Sequence, residues 1–328
     1  MFLPSLTRAE RDPIMRHLPA LAIAAAFAFG APAAAHHPGG YGPLVAAAEL
    51  YDDHDDAALL IVDIRAAVPA YAGGHIPGAV SAPYALFRGP AGNPGELPTE
   101  ARLTELLRSL GATKDRPVVI VHQGTDETDF GAAARVYWTL KSSGVSTLAI
   151  LNGGMNAWVA GGYDVSRDAA VPIRSDIDVR FSHQWLATTE DVAAIVDGTA
   201  DGALLDARPE AFWKGNRAHP AAGRAGTLPQ SQYFTHSSWF ASGPAIIDAA
   251  AARDLAVAQG FSADDRIVSF CNTGHWAATN WFALSELAGI DGVRLYPDSM
   301  VGWSMTEGPM LNTPGIARST WNQIAAMF

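Results

Sequence analysis

Two stretches of this chain carry the same order of apolar and polar positions. Leu59-Leu60-Ile61-Val62-Asp63-Ile64-Arg65 is an apolar run closing on an acid and a base two positions apart, and Ala203-Leu204-Leu205-Asp206-Ala207-Arg208 repeats it. Runs this short and this continuously apolar predict strands buried on both faces. Gly74-His75-Ile76-Pro77-Gly78-Ala79 follows the first, with a weaker echo in Gly226-Thr227-Leu228-Pro229-Gln230-Ser231. Helical spacing then runs from Leu103 to Leu110 and from Ala249 to Gln259, stopped by Gly111 and Gly260. Apolar runs Val118 to Val121 and Ile267 to Phe270 predict strands, and the Ala-rich segments Ala132 to Leu140 and Ala277 to Leu287 predict helices. Each half closes on Gly153-Gly154-Met155-Asn156-Ala157-Trp158 or on Asp298-Ser299-Met300-Val301-Gly302-Trp303.

The two copies keep their spacing. Asp63 lies 95 positions before Trp158, and Asp206 lies 97 before Trp303. Strands alternating with helices predict a parallel sheet with helices on both faces, here built twice. The expected organisation is a first α/β domain at 44–165, a linker at 166–179 and a second α/β domain at 180–328.

Composition adds three constraints. The 328 residues carry 33 acids against 22 bases, net charge −11, which excludes the basic face of a general nucleic-acid binder. Arg16 and His17 precede an apolar run from Leu18 to Gly30, and Ala33-Ala34-Ala35 offers a small-residue cleavage site. Residues 1–35 are therefore expected to be an export signal, with Met15 as an alternative start, and the protein to be periplasmic or secreted. The run is short for a membrane span, so no stable membrane insertion is expected. Cys271 is the only cysteine, so no internal disulfide can form. A single thiol in an oxidising compartment is a candidate reactive group. No metal-ligand spacing and no glycine-rich nucleotide loop stands out, and no cofactor is expected.

The three ordered motifs, Asp63-Ile64-Arg65, Gly74 to Ala79 and Gly153-Gly154 with Trp158, resemble the signatures of a rhodanese domain. The resemblance covers nearly everything after residue 43. It implies two tandem rhodanese-like domains of the thiosulfate/3-mercaptopyruvate sulfurtransferase type. Eleven positions after Gly260 stands Cys271, and eleven after Gly111 stands His122, so only the second domain carries a thiol at this place.

Cys271-Asn272-Thr273-Gly274-His275-Trp276 sits between a predicted strand and a predicted helix. Such a turn aims backbone N–H groups at one point, and the helix start adds partial positive charge. Both favour an anionic, nucleophilic sulfur. Gly274 lets the loop curl without a Cβ clash. By the resemblance, Cys271 takes sulfane sulfur from a small anionic donor such as thiosulfate. Asn272, Thr273, Gly274, His275 and Trp276 cradle the persulfide and leaving group, and a thiophilic acceptor such as cyanide or a thiol removes the sulfur. A non-catalytic relay to a protein acceptor is the alternative. Asp206 and Arg208 are expected to tie loops together behind the site. The arginine that two-domain rhodaneses place after this motif is missing near Phe212, leaving Lys214, Arg217 or Arg224 to hold the donor anion. Phosphatase chemistry on a related fold would need an arginine where Ala277 and Ala278 stand. The first domain's loop carries an acidic insertion, Gly124 to Asp129, expected to be solvated.

Overall fold

The computed structural model describes Met1 and residues 42–315. The expected export signal, its cleavage site and the glycines at 39 and 40 lie outside the described residues. Among the described residues no helix is long and apolar enough to cross a membrane.

Two parallel sheets are present. The first contains β1 (Leu44–Val45), β2 (Leu60–Asp63), β3 (Val80–Ser81), β4 (Val118–Val121) and β5 (Leu148–Leu151), in the order β1-β5-β4-β2-β3. The second contains β6 (Ala203–Asp206), β7 (Gln232–Tyr233), β8 (Ile267–Phe270) and β9 (Val293–Leu295), in the order β7-β6-β8-β9. Leu60 pairs with Val118 and Asp63 with Val121; in the second sheet Ala203 pairs with Ile267 and Asp206 with Phe270. A single parallel bridge, Leu186 to Leu295, stands where β1 stands in the first sheet.

Burial on both sheet faces explains the uninterrupted apolar runs, since alternate residues meet different helices. In the first domain Ile61, Val119, Val121, Ala149 and Leu151 form one core with Met155 and Trp158. In the second, Leu204, Val268 and Phe270 do the same with Met300 and Trp303. Helix Glu127–Ser142 packs on the opposite face of the first sheet. It begins five residues before the expected Ala132, because the Asp126 carboxylate accepts the Asp129 N–H and caps it inside the acidic insertion. The segment expected as a linker is laid along the first domain. Ser166 exchanges backbone hydrogen bonds with His75, and Arg108 Nε donates to the Ile177 carbonyl.

Each acid–base pair is a buried clamp. Arg65 donates from Nε and Nη2 to Asp63 and from Nη2 to the Gly74 carbonyl. Arg208 treats Asp206 and the Gly226 carbonyl in the same way. Each arginine also reaches the loop after the neighbouring strand, at Gln123 Oε1 or Asn272 Oδ1. The pair therefore fixes three chain segments at one end of its sheet. Replacing Asp63 by Asn leaves Arg65 buried without its counter-charge. Thermal or denaturant unfolding is expected to show a loss of about 3 kcal/mol, the usual cost of breaking a buried pair from one side.

Candidate active site

Cys271 is the first residue after β8, and Trp276 opens helix Trp276–Trp281. The intervening loop is pinned from several sides. The Cys271 carbonyl accepts Met300 N–H at 3.0 Å and the Asn272 carbonyl accepts Val301 N–H at 3.0 Å. Ser299 Oγ accepts the N–H groups of Cys271 (3.0 Å) and Gly274 (3.1 Å) while donating to the Tyr296 carbonyl. Gly274 has φ of +65°, and a Cβ there would collide with Arg135 Nη1 and lie 2.7 Å from the Pro297 carbonyl oxygen. The position admits only glycine.

The N–H groups of Asn272, Thr273, His275 and Trp276 have no acceptor among the described residues. Four donors of the loop are thus unspent. The fifth member of the expected cradle, Gly274, is not available, because its N–H is committed to Ser299. Cys271 itself is 1% exposed. Its neighbours Asn272 and Trp276 help line a cavity of about 780 Å³ together with Phe212, Arg217, His219 and Arg224.

The basic candidates separate clearly here. Arg224 donates to the carbonyls of Ser304, Thr306 and Gly308 and is a strut in the cavity wall rather than an anion holder. Lys214 pairs with Glu210 one helical turn back and does not line the cavity. Arg208 is consumed by Asp206 and the Gly226 carbonyl. Arg217 lies over the Phe212 ring, 5.1 Å from its centroid, and has no hydrogen-bonded or ion-paired side-chain partner among the described residues. It is the cavity cation left for an anion.

Much of what surrounds the loop comes from the first domain. Arg88 Nη1 donates to the Thr273 carbonyl at 2.9 Å. The wholly buried Arg135 donates to the Gly274 and Thr273 carbonyls at 3.2 and 3.4 Å. Thr128 accepts from His275 Nε2 at its carbonyl (2.7 Å) and from Trp276 Nε1 at its hydroxyl (3.2 Å). A carbonyl can only accept, so Nε2 carries the proton and Nδ1 accepts from the Tyr84 hydroxyl at 2.9 Å. His275 is therefore a latch between domains rather than a group turned to substrate. Burial, aided by Arg88, pushes its pKa down to about 3. His236 stacks on Trp276, 4.9 Å between centroids.

The matching loop of the first domain fills itself. Asp129 Oδ2 accepts the N–H groups of Gly124 and Thr125 and lies 3.0 Å from His122 Nδ1. Burial alone would raise the Asp129 pKa, but these donors hold it below the ordinary value. The insertion is solvated at Thr125, Asp126 and Thr128, as expected, while the Asp129 carboxylate turns into the loop and Thr128 also meets the second domain.

Of these groups, Tyr84, Arg88, Arg135, Thr128 and Ser299 escaped sequence reasoning. For Ser299 a signal existed, since the repeat places it opposite Gly154. Both have positive φ, +50° and +61°.

A rhodanese-like domain model matches the chain twice, at residues 46–161 and 188–306. A thiosulfate sulfurtransferase of Pseudomonas aeruginosa is 28% identical over 246 residues, 75% of this chain and 88% of that protein. A 3-mercaptopyruvate sulfurtransferase of Escherichia coli is 28% identical over 265 residues, 76% of this chain and 90% of that one. Among solved structures, SseA from Escherichia coli aligns over 79% of this chain and 99% of its own, with a TM-score of 0.68 at 23% identity. An anaerobic ergothioneine biosynthesis enzyme from Chlorobium limicola aligns over 82% of this chain and 69% of its own, with a TM-score of 0.72 at 19% identity. These two structural likenesses establish the fold.

The His275 latch has a pH consequence. Its folded pKa lies below the ordinary 6.5, so on acidification the unfolded chain gains a proton that the folded chain refuses. Stability owed to this group is complete above about pH 6.5 and drains away as pH falls toward 3. Melting temperatures of wild type and His275→Gln across that range are expected to converge on the acid side, with the wild type showing the steeper decline.

Proposed function

The chain belongs to the rhodanese family, and we propose that it is a sulfurtransferase that carries sulfane sulfur as a persulfide on Cys271. The Pseudomonas aeruginosa and Escherichia coli relatives matched in sequence are sulfurtransferases, which supports the general class. The observation that carries the reading for this chain is the set of four unspent loop N–H groups beside its one thiol.

The chemistry is two displacements at sulfur. The Cys271 thiolate attacks the outer sulfur of a donor of the thiosulfate type. A new S–S bond forms, the donor's S–S bond breaks, and its electron pair leaves with sulfite. The persulfide keeps one negative charge on its terminal sulfur, where the N–H groups of Asn272, Thr273, His275 and Trp276 can hold it. A thiophile such as cyanide then attacks that terminal sulfur and departs as thiocyanate, returning the thiolate. Arg217 is the group we assign to the donor's oxyanion, replacing the arginine missing near Phe212. A thiol only 1% exposed favours small acceptors over a docked protein.

Intact-mass measurement after mixing with thiosulfate, and separately with 3-mercaptopyruvate, should show the gain of one sulfur atom with at least one donor. Cys271→Ser should gain none and form no thiocyanate; undiminished turnover in that variant would remove the proposal. Arg217→Gln should raise the donor KM about tenfold, the scale of one charge-assisted contact, with a smaller change in kcat.

A further inference from the structure

We propose that Arg135 and Arg88, both in the domain that lacks the thiol, are positioning residues for this reaction. Arg135 supplies positive charge that acts on Cys271 and turns the His275 N–H into the unspent set, while Arg88 holds the Thr273 carbonyl and with it the turn of the loop. The inference rests on the persulfide reading above and deepens it by assigning the first domain a part in the chemistry.

The starting observation is a buried charge without an ion pair. Arg135 is 0% exposed, and no carboxylate lies within ion-pairing distance of it among the described residues. Its Nε has no acceptor among the described residues. Its remaining bonds go to neutral carbonyls, those of Gly95, Thr273 and Gly274. A guanidinium in this situation is expensive to bury unless something nearby carries negative charge. The charged and titratable groups that act on it are Arg88, Tyr84, Cys271 and Asp298. Arg88 opposes it. Tyr84 is half-buried, and desolvation makes it hold its proton more tightly than usual. The Asp298 carboxylate accepts from Asn93 Nδ2 and forms no ion pair with Arg135. Cys271, once ionised or carrying sulfur, is the anion that matches.

The bonds to carbonyls add direction. In a trans peptide the C=O and the following N–H point opposite ways. Drawing the Gly274 carbonyl toward Arg135 therefore turns the His275 N–H to the other side of the loop, into the set left free for sulfur. Drawing the Thr273 carbonyl toward Arg88 and Arg135 likewise turns the Gly274 N–H toward Ser299. Arg88 lies 5.2 Å from the Tyr84 ring centroid, and its charge reaches both His275 and His219.

The test uses the full-length protein. Iodoacetamide alkylation of Cys271 is followed across pH without any donor, and sulfur transfer is followed separately under steady state. Arg88→Gln should alkylate at least fivefold more slowly near neutrality, with its profile moved to higher pH. Its kcat should fall by a similar factor while donor KM changes less than twofold. Arg88→Lys should recover most of the rate. Arg135→Gln should show the larger effect, with a melting curve reporting that it folds. Wild-type alkylation profiles and kcat in folded Arg88→Gln and Arg135→Gln would overturn the proposal. Should Arg135→Gln not fold, an unchanged profile in Arg88→Gln overturns it alone. A wild type that alkylates at Cys271 yet gains sulfur from no donor would instead sink the persulfide reading, and the alkylation arm would still decide this one.

Discussion

A loop that gathers its N–H groups inward must leave its carbonyl oxygens pointing outward, and buried carbonyls need donors. That constraint organises everything around Cys271. The carbonyls of residues 271 and 272 are met by the backbone of Met300 and Val301, and those of 273 and 274 by arginines of the first domain. The first domain's own loop is supported by the same logic with different donors. Met155 and Asn156 N–H groups answer the carbonyls of His122 and Gln123, and the Asn156 side chain answers Gly124. The scaffold is thus shared between the copies, and the difference lies in what occupies the inside of each curl.

The domain boundary is part of the site. Helix Glu127–Ser142 packs directly on helix Trp276–Trp281, the helices that follow the two loops. Phe130 and Tyr137 meet Phe282 edge to face, and Lys141 pairs with Glu286 at 2.7 Å. Aromatic edge contacts and a half-buried ion pair give this interface a fixed register. Tyr84, Thr128 and Arg135 can reach the loop only because that register holds.

Reading the chain in order recovered the repeat, both sheets, the glycine-capped helices and the thiol between a strand and a helix, because each is written in neighbours along the sequence. Asp63, Arg65, Asp206 and Arg208 were legible as clamps for the same reason: each pair is two residues apart. The cross-domain contacts were not legible. Thr273 meets Arg88 and Arg135 from 185 and 138 positions away, and His275 meets Tyr84 from 191. Nothing local marks such partners. One cue went unused: Arg135 interrupts an otherwise apolar helix face, and a charge placed among buried alanines and aromatics needs a partner from elsewhere. Arg217, Lys214 and Arg224 were indistinguishable in the sequence because the carbonyls and the carboxylate that engage two of them are set by tertiary packing.

The Asp129 carboxylate gives the two halves different responses to their surroundings. The first loop carries its own anion as a permanent tenant, so dissolved sulfur oxyanions find no vacancy there. The duplicated half has no thiol of its own and serves the other half as a brace, through Arg88, Thr128 and Arg135.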